Sequence, residues 1–202
     1  MRTHVRRPVL VLLAAVAIVL ALLAADAVRR VVEGRAEQAT DAPFYVPPTP
    51  LAEAAPGTII RSEPIASAPE GSLAWRVLYH SRDLAGDDVA VSGVVVVPDR
   101  PAPEGGRTLV SWAHPTTGAA PRCAPSLALD PFELVEGLHE LLAAGYAIAA
   151  TGGPGLGVDG ASSYLLGVPE SNSVLDIARA ARGLPDGGVG DRLLLWGHSQ
   201  GG

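Results

Sequence analysis

The residues RLLLWGHSQGG at 192–202 place Gly197, Ser199 and Gly201 at the spacing that a nucleophilic serine on a tight turn requires. Such a turn follows directly on a buried strand and lifts the hydroxyl above the edge of a sheet. Gly197 and Gly201 suit it because a Cβ at either position would crowd the turn and the chain that follows. A serine hydroxyl is a poor nucleophile at neutral pH, so it needs a base, an orienting carboxylate and donors for the oxyanion of an acyl-transfer intermediate. One donor comes with the turn itself, the backbone N–H of Gln200. The other is expected from the loop His114 to Gly118, where Thr116 and Thr117 offer N–H groups and hydroxyls.

The remaining chemistry-bearing residues do not complete a triad. His198 sits beside the serine on a turn that points neighbours apart, and reads as a packing residue. His80 reads as a strand-end histidine and His139 as a solvated residue on a helix. Asp159 and Asp176 precede the serine, whereas the order for a serine on this kind of turn is Ser, then Asp or Glu, then His. Cys123 is the only cysteine, either a buried small hydrophobe or half of a disulfide. No metal or organic cofactor is implied.

These residues need elements to hold them. WRVLYHS from Trp75 and VAVSGVVVVP at 89–98 are β-branched and aromatic runs separated by DLAGDD, which predicts two neighbouring antiparallel strands. TLVSWAH at 108–114 predicts a third strand. A helix is expected over about Pro131 to Ala144, with Asp130 as its cap, Gly145 closing it, and Leu134, Leu138, Leu141 and Leu142 on one face. YAIAAT at 146–151 predicts the next strand, ending in the glycine-rich loop GGPGLGVDG. A second helix is expected from near Ser171, with Val174, Ile177, Ala178 and Ala181 buried and Gly183 as its stop. RLLLW is short and almost wholly apolar, as strands buried in parallel sheets are. Two antiparallel strands followed by strand, helix, strand, helix, strand spell an α/β sheet.

Upstream of the sheet, residues 44–65 hold five prolines among apolar residues. With Phe44, Tyr45, Ile59 and Ile60 among them, they predict an extended, ordered wrap. Residues 28–43 read as a tether. Residues 1–27 carry Arg2, Arg6 and Arg7 before an uncharged apolar run, Val9 to Ala25. They read as a signal peptide, with Ala25-Asp26-Ala27 resembling a cleavage site, or as a membrane anchor through residues 9–25. Either reading puts the body outside the cytoplasm, secreted or anchored. The net charge is −6, and because residues 1–27 hold three arginines and one aspartate the remainder carries −8. An acidic body argues against nucleic acid as a partner.

Taken in order, FYVPPTPL, PGTIIRSEPI, VSGVVVVP, WAHPTTG, CAPS, GLGVDG, YLLG, SVLDIARAAR and GHSQGG make the chain from Phe44 onward resemble the secretory lipases, exported α/β-hydrolases that act on triacylglycerols and related esters. The resemblance implies Ser199 as nucleophile, the Gln200 N–H as one oxyanion donor, and Thr116 or Thr117 as the other. It also implies an incomplete α/β-hydrolase sheet, residues 44–202 being its N-terminal part. Members are considerably longer, and their last strands, lid, triad Asp and triad His follow the nucleophile turn. Members usually carry an Asp and an aromatic residue before GLG, where this chain has Gly152 and Gly153. The expected activity is therefore that of an exported serine ester hydrolase, a triacylglycerol lipase, with the 202 residues inactive by themselves. A short-chain carboxylesterase, or a membrane-anchored non-catalytic interaction protein, are the alternatives.

Overall fold

The computed structural model describes residues 6–202, and Arg2 of the basic leader lies outside the described residues. The chain divides into two units, residues 1–40 and 41–202. In the first, helix α1 (Arg6–Asp41) is continuous, and its segment Val9–Arg35 is the one helix among the described residues long and apolar enough to cross a membrane. At 1.5 Å per residue its apolar run of Val9 to Ala25 measures about 25 Å, slightly less than the ~30 Å hydrocarbon core of a bilayer. The expected tether is helical through Asp41. Asp26 pairs with Arg29 and Arg30, each at 2.8 Å, and Arg29 with Glu33 at 3.1 Å. Such exposed pairs at i, i+3 and i, i+4 favour a helix that has no apolar stripe.

The second unit is built on a six-stranded sheet. Its strands are β1 (Ile59–Pro64), β2 (Ser72–Arg82), β3 (Asp88–Pro98), β4 (Arg107–Ala113), β5 (Ala147–Thr151) and β6 (Val189–Gly197). They lie in the order β1-β2-β3-β5-β4-β6. The first four in that order pair antiparallel, and β5, β4 and β6 pair parallel. This is the expected α/β sheet with one strand added at its outer edge. β1 hides in the proline-rich wrap because it is six residues long and carries Arg61 and Glu63. Glu63 pairs across the strands with Arg76 at 2.8 Å. The rest of the wrap is ordered as expected: Phe44 and Tyr45 are buried, and the Tyr45 hydroxyl donates to Ser126 O at 2.9 Å.

Helices cover both faces of the sheet, as parallel strands require. Helix α3 (Gly167–Arg182) lays Ile177, Ala178 and Ala181 against Val77, Val95 and Leu109. It begins four residues before the expected start and ends, as expected, before Gly183. On the opposite face the helix expected over 131–144 is reduced to α2 (Leu138–Ala144). Gly137 at φ +73° breaks it, and Asp130 caps no helix, its Oδ1 accepting the Phe132 N–H at 2.9 Å within a turn. The apolar side of this segment is accordingly Phe132, Val135, Leu138 and Leu142, while Leu134 faces outward.

On β6, Leu194, Leu195 and Trp196 are 49%, 61% and 50% exposed. β6 is the last strand of the sheet and pairs only with β4 among the described residues. A run of three exposed large apolar residues marks a surface suited to further cover.

One polar cluster fixes the wrap to the sheet. Asp88 is half-buried, with its side chain largely covered, and accepts from Ala54 N–H at 2.9 Å, from Arg82 at 2.8 Å and faces His80 Nδ1 at 3.0 Å. Burial by itself would raise the Asp88 pKa, but the Ala54 N–H, His80 and Arg82 outweigh it and hold the carboxyl below its usual value. A depressed folded-state pKa contributes stability that is present above the unfolded value of about 3.9 and is lost as pH falls through the folded one. Urea unfolding between pH 6 and pH 3 should therefore show a loss of stability that Asp88→Asn diminishes. An unchanged pH dependence in that variant would remove Asp88 from the explanation.

Candidate active site

The site lies where the parallel part of the sheet changes direction. From β4 the chain crosses to β5 on one side and then to β6 on the other, and ligands of open α/β sheets bind at the carboxyl ends of strands at such a switch point. β4 and β6 run in register, Trp112 opposite Trp196 and Ala113 opposite Gly197. The chain leaves β6 through a bond from His198 N–H to Ala113 O at 3.2 Å and turns at once into a single 3-10 turn, Ser199–Gly201.

Ser199 stands in this turn at φ +56°, in the left-handed region that non-glycine residues seldom enter. Together with Leu165 it is one of two such non-glycine residues among those described. Strain of this kind persists where surrounding structure enforces it, and here two glycines do so. A Cβ on Gly197 would meet Gly201 O, and a Cβ on Gly201 would meet Ala113 O. The turn can therefore press against the end of β4 only with glycine at both positions, and Ser199 at its apex is exposed. Gly201 N–H bonds His198 O at 2.9 Å and Gly202 N–H bonds Ser199 O at 3.1 Å. Neither bond uses the N–H of Gln200.

A cleft of about 480 Å³ opens beside the turn, with Ala113, His114, Gly152, Val174, Trp196 and Gln200 among its lining. Three expected site residues, Gly197, Gln200 and Gly201, line it; Thr116 and Thr117 do not, whereas His114 and Gly118 of the same loop do. Thr116 is exposed, and the Thr117 Oγ1 is buried without a hydrogen-bond partner among the described residues. His114 is buried with both ring nitrogens turned to carbonyls, Pro115 O at 2.6 Å and Gly152 O at 3.3 Å. It joins the loop after β4 to the glycine-rich loop after β5. Gly152 is thereby part of the cleft wall, and its own N–H bonds Ser92 O at 2.8 Å.

Glu170 is a residue of the cleft that no sequence motif marks. This residue in the first turn of α3 lines the cleft, and its Oε1 accepts a hydrogen bond from Gln200 Nε2 at 2.7 Å. Thirty positions separate the two, and only the packing of α3 against β4 and β6 joins them.

No histidine among the described residues hydrogen-bonds Ser199. His80 faces Asp88, His139 is exposed on α2, and His198, expected to be a packing residue, is exposed and reaches Glu136 at 2.5 Å. Its side chain leaves the turn on the side away from the cleft lining because the two neighbours on a tight turn diverge. Asp159 is exposed, and Asp176 is buried between Ser81 and Arg179. Cys123 is a free, half-buried cysteine packed against Gly118, where a Cβ would lie 2.6 Å from its sulfur. No group of three or more His, Cys, Asp or Glu among the described residues could hold a metal ion.

A mixed sheet that passes from antiparallel to parallel pairing, helices on both faces, and a strained serine turn at the carboxyl end of a parallel strand define the α/β-hydrolase fold. Comparison with known proteins gives it a narrower place. The chain is 31% identical over 180 residues to the "Probable inactive lipase" of Mycobacterium tuberculosis, a match covering 81% of the chain and 39% of that protein. Candida antarctica lipase A superposes with a TM-score of 0.63 at 23% identity, over 80% of this chain and 39% of that one. The rice cell wall degrading esterase LipA of Xanthomonas oryzae gives a TM-score of 0.61 at 22% identity, over 73% and 43%. No protein-family profile matches the chain. The chain has the α/β-hydrolase fold and is similar to lipase-like proteins of that fold, and it spans about two fifths of the length of the proteins it matches.

Proposed function

We propose that this chain carries the nucleophile of an exported serine ester hydrolase, a triacylglycerol lipase. The observation that carries the reading is Ser199 at φ +56° between two glycines that no larger residue can replace, at the carboxyl end of β6. In the reaction the Ser199 hydroxyl oxygen attacks the ester carbonyl carbon while a base takes its proton. The tetrahedral oxyanion is held by the Gln200 N–H and by Thr116 or Thr117, and collapse expels the alcohol, protonated by the same base, to leave an acyl-serine. Water then attacks the acyl-serine and releases the acid. The order Ser, acid, base on this fold directs the search for the triad Asp and His to residues after the turn. The 202 residues by themselves are expected to be inactive. Residues 1–27 serve export or anchoring, 28–43 a tether, and 44–202 form the N-terminal part of the hydrolase domain.

The apolar cleft, with the exposed Leu195 and Trp196 in its wall, supports a hydrophobic acyl group as the substrate part bound beside the turn. A second reading, a membrane-anchored protein without catalysis, draws on the name of the mycobacterial relative. The assay that separates these is hydrolysis of a long-chain triacylglycerol emulsion and of soluble p-nitrophenyl butyrate by the protein expressed from its full reading frame. Turnover of both is expected. Turnover of the soluble ester alone would make it a carboxylesterase, and turnover of neither would favour the non-catalytic reading.

A further inference from the structure

Glu170 is half-buried at the entrance of α3, and no cation pairs with it among the described residues. Both of its side-chain partners are N–H donors on the same oxygen: Leu165 N at 3.1 Å and Gln200 Nε2 at 2.7 Å. The first bond fixes the carboxylate. Leu165 is the other non-glycine residue in the left-handed region, at φ +60°, and Leu166 before the helix provides no side-chain cap. Glu170 therefore closes the open first turn of α3 and is held in place before any substrate arrives. A carboxylate serving only that turn would need no second partner. The second bond reaches across the cleft to Gln200, the residue proposed to supply an oxyanion donor through its backbone N–H, and a bond to a charged acceptor is stronger than one between neutral groups.

This bond bears on a strained backbone. The peptide between Ser199 and Gln200 gains freedom if the left-handed turn relaxes, and the side chain of Gln200 has no other hydrogen-bond partner among the described residues. We infer that Glu170 is a positioning residue, which holds Gln200 by its side-chain amide so that the Gln200 N–H stays aimed at the oxyanion formed on attack by Ser199. The inference rests on the serine-hydrolase reading of Ser199. Glu170 touches no reacting atom and acts through Gln200 alone.

The test is a cycle of variants in the protein expressed from its full reading frame, read as kcat and KM on p-nitrophenyl butyrate. Glu170→Ala should lower kcat by about 10- to 100-fold, as expected for a misaimed oxyanion donor, with KM within about twofold. Glu170→Gln, which keeps an acceptor oxygen, should recover most of the loss. Gln200→Ala keeps the backbone N–H but loses the tie, and should match Glu170→Ala. The double variant should be no slower than the slower single one, because the two act through one bond. Wild-type kcat in Glu170→Ala, or losses that multiply in the double variant, would overturn the inference. If Glu170→Ala does not fold, a kcat for Gln200→Ala equal to wild type overturns it alone. Activity that survives Ser199→Ala would overturn the serine-hydrolase reading and this inference with it. Activity that depends on Ser199 but ignores Glu170 and Gln200 overturns only the inference.

Discussion

Replacing Ser199 by alanine in the protein expressed from its full reading frame is expected to lower kcat for a p-nitrophenyl ester by about 10⁶-fold, the loss seen when a triad serine is removed while its donors remain. KM should change little, since Ser199 is not part of the wall of the cleft beside the turn. A companion variant separates nucleophile from scaffold. Ser199→Gly should be equally inactive yet more stable than the wild type by about 1 kcal/mol, because glycine occupies φ +56° without the penalty a side chain meets there. Urea unfolding of the two variants checks this. Loss of activity accompanied by a gain in stability is the signature of a residue held in strain for its chemistry, and equal stabilities would mean that the turn imposes no strain.

The second large effect is expected at Gly201. Its Cβ in Gly201→Ala would enter the backbone carbonyl of Ala113, and a strand end cannot give way as the tip of a side chain can. The turn must lift off β4, breaking the His198 N–H bond to Ala113 O that starts it. Activity should drop to within about tenfold of the Ser199→Ala level, because displacement of nucleophile and donor together loses most of the orientation on which the rate depends. Stability should fall by about 1–3 kcal/mol, the usual range for forcing a methyl into packed structure. Kinetics and denaturant unfolding on one preparation measure both. Near-native kcat in Gly201→Ala would show that close approach to β4 is not what shapes the turn.

Much of this fold was legible in the residues, and the limits have physical causes. Val91, Val94, Val95, Val96 and Val97 in one run, and Trp75 to Ser81 in another, are too β-branched and aromatic to be anything but paired strands, and β2 and β3 are where they were expected. The Gly197, Ser199, Gly201 spacing announced its own turn because the constraint is local. Strand order is not local: that β5 lies between β3 and β4 is set by which faces α2 and α3 must cover, and no window of sequence carries it. β1 is obscured by the proline-rich stretch that holds it and by Arg61 and Glu63, the latter finding its partner only in Arg76 on the neighbouring strand. The leucine spacing from Pro131 predicts a longer helix, but Gly137 takes a left-handed backbone that interrupts it.

The site divides in the same way. Ser199, Gln200 and the two glycines come from one short stretch and were found together. Glu170 reaches Gln200 across the cleft from another element, and a glutamate in the first turn of a helix is ordinary in sequence. The loop after β4 lies where expected, but it is His114 and Gly118 that line the cleft, while the Thr117 Oγ1 is buried away from it.

The most direct measurement is to treat the protein expressed from its full reading frame with a fluorophosphonate, which phosphonylates an activated serine with loss of fluoride, and to locate the adduct by peptide mass spectrometry. The expected result is a single adduct on Ser199, formed in step with loss of ester hydrolysis. Inhibition with the adduct on another residue, or full hydrolytic activity with Ser199 unmodified, would contradict its role as the nucleophile.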